Sequence, residues 1–156
     1  MKEIKLTQGK VALVDDEDFE YLNQWKWFVQ IDTHNCYAKR AGKSIKGKRY
    51  MISMHRVIMN TPYDLVVDHI DHNGLNNHKS NLRNCTRSQN AWNYTPCGKS
   101  KYLGVGYSNK QIQCHISING IDTYLGTFKS EIEAAEYFDK KAKEIYGEFA
   151  NLNFKT

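Results

Sequence analysis

The most constraining feature of this chain is the segment of residues 66–74, which has the sequence VVDHIDHNG. A short β-prone run ends where a carboxylate, Asp68, and an imidazole, His69, follow one another. The Asn-Gly pair that closes the segment marks a tight turn, because both residue types tolerate positive φ. We expect residues 81–85 to return as a second strand, so the segment predicts a β-hairpin that carries Asp68 and His69.

A short helix should follow this hairpin. Residues 86–89, TRSQ, form a capping-box pattern. We expect the helix to end near Tyr94, since Pro96 disfavours helical geometry in the residue before it. The two strands, the turn and the helix would fold back on one another and bring Asn90 towards Asp68.

Three of these side chains predict a metal site beside a base. Carboxylate and amide oxygens are the hard ligands that Mg²⁺ and Mn²⁺ prefer, and these ions keep waters or phosphate oxygens in their remaining positions. A neutral histidine next to them can take a proton from water near neutral pH. Asp68, His69 and Asn90 therefore predict one divalent cation, Mg²⁺ or Mn²⁺, with an adjacent base.

This arrangement resembles the HNH endonucleases, whose nuclease core is a ββα-metal (His-Me) finger, and it is most similar to their homing branch. The resemblance is carried by VDHID at 67–71, LNN at 75–77, SNLR at 80–83 and TRSQN at 86–90. It implies that Asp68 and Asn90 are metal ligands. His69 would be the general base, and Asn81 the central asparagine that braces the finger. The final histidine of the family name is an asparagine here, as in some homing members, which favours a one-metal site.

The resemblance also implies a reaction. His69 would deprotonate a water that attacks a DNA phosphodiester, while the cation neutralises developing charge. The products would be a 5′ phosphate and a 3′ hydroxyl at a specific duplex site. Two alternatives stay open: a non-cleaving DNA-binding regulator that keeps the same modules, and an RNA-binding or structural protein.

Neighbouring polar residues have a plainer interpretation. Asp and Asn are common in turns because their side chains bond nearby backbone amides. We therefore expect four of them to be turn and capping residues: Asp71, Asn73, Asn76 and Asn77. His72 and His78 should be exposed loop residues. Residues 55–59 predict a helical turn in which His55 has a structural role.

A second hairpin is predicted downstream, where apolar and polar residues alternate over 112–118 before Asn119-Gly120. With a two-residue turn, the expected cross-strand pairs are Ile118 with Ile121, Ile116 with Thr123, and Cys114 with Leu125. The polar face would hold Gln113, His115, Ser117, Asp122 and Tyr124.

A helix should pack on the apolar face of this hairpin. Residues 130–133, SEIE, form a capping box, and Gly147 is a natural helix end. Apolar residues recur between them at helical spacing: Ile132, Ala135, Phe138, Ala142 and Ile145.

The C-terminal part resembles the Apetala or ethylene-response-factor (ERF) type of DNA-binding domain, which occurs attached to HNH nucleases of phage and mobile elements. The resemblance is carried by YLGV at 102–105, YLGTF at 124–128, EAA at 133–135, YFD at 137–139 and NLNF at 151–154. The base-reading arginines of plant members are absent: Leu103, Gly106, Ser108, Ser117 and Asp122 stand there. The resemblance implies that the polar face lies in a DNA groove, contacted through Gln113, His115, Ser117 and Tyr124. The alternative is a domain that supports the nuclease or binds another protein.

Basic residues cluster in a glycine-containing stretch between two β-prone runs: Lys39, Arg40, Lys43, Lys46, Lys48 and Arg49. This pattern predicts a loop laid on the DNA backbone, and the alternative is a solvated loop. Arg83 and Arg87 are further candidate DNA contacts. The rest of the N-terminal part predicts strands at 4–6, 11–14, 25–30, 36–40 and 50–53 and a helix at 15–23, with Trp25, Trp27 and Phe28 in the core.

Together these patterns predict an α+β chain of 156 residues. We expect an N-terminal mixed β module at 1–60, a ββα-metal nuclease core at 61–95, a linker at 96–101 and an ERF-like domain at 102–156, a three-stranded antiparallel sheet packed on one helix. The formal net charge of +5 is compatible with a duplex DNA partner. Four cysteines without a Cys-x-x-Cys pair do not indicate zinc, and they fit a reduced, cytoplasmic setting of a bacterial or phage-infected cell. We expect no membrane partner, no small-molecule cofactor, and a monomer or weak dimer.

Overall fold

The computed structural model describes residues 1–33, 35–45, 47–96 and 98–154. These residues form several small antiparallel sheets and four α-helices, so the α+β prediction is confirmed. The chain divides into two compact units, Met1–Arg87 and Ser88–Thr156. The finer division into an N-terminal module, nuclease core, linker and ERF-like domain stays a prediction.

The first unit begins with a two-stranded hairpin, a helix and a three-stranded antiparallel sheet. The elements are β1 (Lys2–Lys5), β2 (Val11–Val14), α1 (Asp16–Leu22), β3 (Phe28–Ile31), β4 (Cys36–Ile45) and β5 (Lys48–Ser53). Alternate residues of the strands face one core, which contains Ile4, Ala12, Val14, Leu22, Trp27, Val29, Ala38 and Met54. Trp27 lies there as predicted and donates its indole N–H to the Leu22 carbonyl at 2.8 Å, while Trp25 packs at the edge.

The basic stretch is a β-hairpin and not the predicted loop. Strands β4 and β5 stay paired as far as Ile45 opposite Lys48, with an irregularity between Ala41 and Ser44. The predicted strands were too short, because backbone pairing continues where side chains no longer alternate between apolar and polar. Lys46 lies outside the described residues.

The first unit continues with α2 (Met54–Ile58), β6 (Val66–His69) and β7 (Leu82–Cys85). The two strands form the predicted antiparallel hairpin, in which Asp68 pairs with Arg83 and His69 with Leu82. α2 is the helical turn that residues 55–59 predict.

The second unit contains α3 (Arg87–Trp92), which starts at the last residue of the first unit, and the strands β8 (Val105–Ser108), β9 (Gln111–Ile118) and β10 (Ile121–Phe128). Asn119 and Gly120 have φ of 53° and 80°, as the predicted tight turn requires. The predicted pairs Ile118–Ile121 and Ile116–Thr123 are confirmed.

The predicted Cys114–Leu125 pair is wrong. Cys114 lies opposite Gly126, because the register shifts between Tyr124 and Gly126. Leu125 is the extra residue of a β-bulge, and Gly126 has a φ of 142° that other residues rarely adopt.

The predicted C-terminal helix is α4 (Glu131–Tyr146). The Ser130 hydroxyl accepts the Glu133 N–H at 3.2 Å, and the helix ends before Gly147, whose φ is 58°. Its buried face contains Ala134, Ala135, Phe138, Ala142 and Tyr146 and packs on Leu103, Val105, Cys114 and Ile116. Ile132 was expected on this face but is 54 % exposed, because the buried stripe begins at Ala134.

Trp92 and Tyr94 also pack against the core of the second unit. The Trp92 ring stacks on Tyr146 with centroids 4.5 Å apart. Along the described ranges, no helix combines the length and apolar character needed to cross a bilayer. Cys36, Cys85 and Cys114 are free thiols, and Cys97 is not among the described residues.

Candidate active site

Asp68 and His69 are the last two residues of β6, and both are buried. Their exposed fractions are 4 % and 5 %, which is low for ionisable residues. A buried carboxylate next to a buried imidazole needs partners inside the protein. The structure provides different partners for the two side chains.

Asp68 is paired with an arginine from the neighbouring strand. Arg83 directs its Nε and Nη2 to Oδ2 of Asp68, at 2.8 Å and 2.7 Å. Only 17 % of the Arg83 side chain is exposed, so this ion pair is shielded from water. Arg83 was predicted to contact DNA; its observed partner is the candidate metal ligand, and contact with DNA stays a prediction.

His69 is oriented by Asn77, which is completely buried. The Asn77 Nδ2 donates to the Leu75 carbonyl at 3.2 Å, so its Oδ1 faces Nε2 of His69 at 3.4 Å. An oxygen at that position accepts a hydrogen bond from Nε2–H. The neutral ring then carries its lone pair on Nδ1, which is the nitrogen that can act as a base.

Burial lowers the pKa of His69 below its usual value of 6.5. The hydrogen bond to Asn77 and the charges of Asp71 and Asp68 act in the opposite direction but do not reverse the shift. The imidazole is therefore neutral at physiological pH, as a general base must be.

Asn77 was expected to be a turn residue, and its role was missed. It is buried because residues 75–77 lie beside β2. The Leu13 N–H donates to the Leu75 carbonyl at 2.9 Å, and the Asn77 N–H donates to the Leu13 carbonyl at 2.8 Å. An asparagine in a turn-like sequence gives no sign of such a distant contact.

The loop between β6 and β7 is closed by Asp71 and Asn81. The Asp71 N–H donates to Oδ1 of Asn81 at 3.0 Å, and Nδ2 of Asn81 donates to Oδ1 of Asp71 at 2.8 Å. Asn81 also donates to the Asn76 carbonyl at 2.8 Å. Asn81 therefore joins the two ends of this loop, and its bracing role in the nuclease stays a prediction. The Asp71 and Asn73 side chains accept backbone N–H groups within the loop, as expected of turn residues.

The expectation that His78 is exposed is wrong. Only 8 % of the residue is exposed, and its Nδ1 lies 2.9 Å from Oδ1 of Asp15. The other oxygen of Asp15 accepts the Lys79 N–H at 2.8 Å, and these contacts hold the pKa of Asp15 below its usual value. The contacts of Asp15 with His78 and Lys79 connect the loop between β6 and β7 to the start of α1. His72 is half-buried and has a positive φ of 64°.

The predicted second metal ligand, Asn90, is an exposed residue of α3. It belongs to the second unit and Asp68 to the first, so their shared cation stays a prediction. Within the ranges that the structure describes, no three His, Cys, Asp or Glu side chains cluster as a metal site. The predicted donor set, one carboxylate and one amide oxygen, fits a hard cation that keeps water or phosphate oxygens.

The predicted DNA contacts of the basic hairpin differ in exposure. Lys43, Lys48 and Arg49 are exposed and Lys39 is half-buried. Arg40 is half-buried, and its guanidinium lies 4.4 Å from the ring centroid of Trp25. The structure therefore gives Arg40 a packing contact that the sequence did not indicate. The predicted contact Arg87 is exposed.

In the second unit, the predicted polar face is present. His115 lies 2.9 Å from the Asp122 carboxylate through Nδ1, and its ring meets the Tyr124 ring edge-on at 5.4 Å. Nε2 of His115 is 3.5 Å from the Gln113 amide oxygen. Ser117 and Tyr124 are exposed on the same sheet, and the Tyr124 hydroxyl bonds to Thr127 at 2.7 Å.

Comparison with known proteins places the finger in a family. The HNH endonuclease family model matches residues 54–92, which contain α2, β6, β7 and α3. A protein of Acanthamoeba polyphaga mimivirus, described as an uncharacterised HNH endonuclease, is 31 % identical over 152 residues, covering 94 % of this chain and 76 % of the relative. No solved structure matches the chain. Since the likeness to this relative extends over nearly the whole sequence, and the matched segment holds the buried Asp68–His69 pair, the chain belongs to the HNH endonuclease family, a family of nucleases that act on DNA.

Proposed function

We propose that this chain is a metal-dependent, site-directed DNA endonuclease of the homing type, which hydrolyses a phosphodiester to a 5′ phosphate and a 3′ hydroxyl. The observation that carries the proposal is the state of His69. It is buried, its pKa is lowered by burial, and its Nε2 faces the Asn77 oxygen. A general base needs this neutral, oriented ring.

In the proposed mechanism, Nδ1 of His69 removes a proton from the attacking water. The imidazolium that forms is stabilised by the Asn77 amide oxygen, which accepts a hydrogen bond from its Nε2–H. Asp68 is kept in place by Arg83, so the carboxylate does not have to be ordered when substrate binds. When bound between Asp68 and Asn90, a single Mg²⁺ or Mn²⁺ would neutralise charge on the phosphate and on the leaving 3′ oxygen.

We further propose that both units contribute to duplex DNA binding. The exposed lysines and arginine of the β4–β5 hairpin supply phosphate contacts. Gln113, His115, Ser117 and Tyr124 supply groove contacts from the polar sheet face, as the ERF resemblance implies. The protein would act as a monomer or weak dimer in the cytoplasm of a bacterial or phage-infected cell.

The proposal is tested by incubating supercoiled plasmid with wild type, His69→Ala and Asp68→Ala in Mg²⁺, Mn²⁺ or a chelator. We expect nicked or linear product from the wild type with metal, and none from either variant or with chelator. His72→Asn is the matched control, because it removes a histidine from the same loop, asparagine tolerates the positive φ of 64° at this position, and the variant should cut normally. Cutting by His69→Ala at the wild-type rate would reject the mechanism.

The second candidate is a non-cleaving DNA-binding regulator, which the exposed basic hairpin and polar sheet face would also serve. It predicts no product from the wild type at any metal concentration. It also predicts equal duplex binding by wild type and His69→Ala.

A further inference from the structure

Two aromatic rings, one from β4 and one from α2, pack against the ring of the candidate base, His69. The His55 ring, from α2, lies edge-to-face on His69 with centroids 5.1 Å apart and an interplanar angle of 80°. The Tyr37 ring, from β4, lies 5.9 Å from His69 and 5.8 Å from His55. Each ring therefore contacts the other two. Edge-to-face contacts restrict ring orientation because the edge of one ring favours the face of the next.

Tyr37 is fixed by the loop that follows His69. An added Cβ on Gly74 would lie 2.6 Å from Cε1 of Tyr37, so the glycine backbone is in direct contact with that ring. Asn35, two residues earlier, accepts the Gly74 N–H at 3.0 Å and donates to the His72 carbonyl at 2.7 Å. These contacts connect the start of β4 to the loop between β6 and β7.

His55 is fixed by α2, whose first residue, Met54, is completely buried. Arg56 of the same helix donates to the Leu65 and Pro62 carbonyls, both at 2.8 Å, just before β6. Burial lowers the pKa of His55 to about 3, so its ring is neutral at physiological pH. Its Nδ1 is buried and has no hydrogen-bond partner among the described residues. His55 therefore contacts His69 through its ring and not through a hydrogen bond from Nδ1.

We infer that Tyr37 and His55 are positioning residues that hold the His69 ring with Nε2 on Asn77 and Nδ1 towards the attacking water. The inference rests on the proposed function for its catalytic consequence. β4 and α2 then form one side of the active site. This role is additional to the proposed DNA contacts of the β4–β5 hairpin.

The test uses the full chain and compares pairs of variants of similar size. His55→Phe and Tyr37→Phe keep an aromatic ring, whereas His55→Leu and Tyr37→Leu remove the ring but fill the space. Tyr63→Leu is the control, because Tyr63 is fully exposed. Thermal unfolding reports whether each variant is folded. Two readouts follow: the tautomer of His69, by long-range ¹H–¹⁵N NMR of the metal-free protein, and single-turnover cleavage of plasmid with the affinity for duplex measured separately.

We expect His69 to be the Nε2–H tautomer in the wild type, in both Phe variants and in Tyr63→Leu, and to be a mixture of tautomers in the Leu variants. Cleavage by the Leu variants should be about 10- to 100-fold slower with unchanged duplex affinity, as for a misplaced catalytic group. A wild-type tautomer in a folded Leu variant would overturn the inference, and so would a lost tautomer in a folded Phe variant. A drop in duplex affinity in His55→Phe would overturn it in favour of a phosphate-binding imidazole. If the wild type does not cut, the proposed function fails, and the NMR comparison still decides the inference.

Discussion

At the scale of single residues, the candidate site depends on buried polar groups that satisfy one another. Asp68 has Arg83, and His69 has Asn77. Inside a protein such pairs are coupled, because removal of one partner leaves the other desolvated. Substitution of one of these residues should therefore lower the free energy of unfolding much more than substitution of a surface residue.

Arg83→Gln tests this coupling. We expect the free energy of unfolding to fall by about 3 kcal/mol, because a buried carboxylate is left without its cation. Asp68→Asn combined with Arg83→Gln should cost less than the sum of the single changes. Urea denaturation of the four proteins measures the cycle, and Arg49→Gln, at an exposed arginine, is the control. Strictly additive effects would show that the ion pair contributes nothing.

A second residue-scale prediction concerns pH. His55 has an ordinary pKa of 6.5 and a folded pKa of about 3. Between these values the unfolded chain binds a proton that the folded chain does not. The stability due to neutral His55 is therefore complete above pH 6.5 and is lost as pH falls towards about 3. We expect His55→Phe to lose less of its thermal midpoint than the wild type between these limits. If the thermal midpoints of the two proteins fell equally over this pH range, the result would count against a buried, neutral His55.

At the scale of elements, the loop between β6 and β7 is held by its own hydrogen bonds and also by contacts with β2 and with the residue before β4. Residues 75–77 hydrogen-bond to Leu13, and Asn35 binds the segment around Gly74. The loop has little freedom to move aside, because both neighbouring strands belong to packed sheets.

Gly74→Ala tests how tightly this loop is packed. The new methyl group would overlap the Cys36 carbonyl and the Tyr37 ring. We expect a loss of about 2 kcal/mol in the free energy of unfolding, typical of overpacking, together with slower cleavage. Gly106→Ala is a matched control, because a Cβ there meets nothing within 4 Å. Equal unfolding midpoints for the two variants would contradict the packing described.

At the scale of the whole molecule, charge is distributed unevenly along the chain. Residues 101–156 carry seven basic and seven acidic side chains, so the net charge of +5 resides in residues 1–100. The long-range attraction to a polyanion should therefore come from that part. The ERF-like segment adds contacts at short range and little net electrostatic attraction.

Lys43→Ala and Lys48→Ala test this distribution. Each should weaken duplex binding to all sequences alike and lower the slope of log affinity against log salt by about 1. Fluorescence anisotropy over a series of salt concentrations, with chelator present, measures the slope. Lys140→Ala and Lys143→Ala remove exposed charges from α4 and should leave the slope unchanged. Equal slopes in all four variants would place the phosphate contacts elsewhere.

The sequence by itself determined what depends on neighbours in the chain. The Asn119-Gly120 turn, the Ser130 cap, the Gly147 helix end and the hairpin that carries Asp68 and His69 follow from local backbone preferences and side-chain periodicity. The family could also be predicted, because its motif is a set of residue types at short spacings.

Only the tertiary structure decided which distant residues surround the base. Asn77 is buried because it pairs with β2, Arg83 meets Asp68 across a ladder, and Tyr37 and His55 arrive from β4 and α2. The burial of His78 was missed for the same reason, because its partner Asp15 lies 63 residues away in the sequence. Such contacts join residues far apart in the chain, and packing selects them through shape and desolvation, which leave no regular spacing in the sequence.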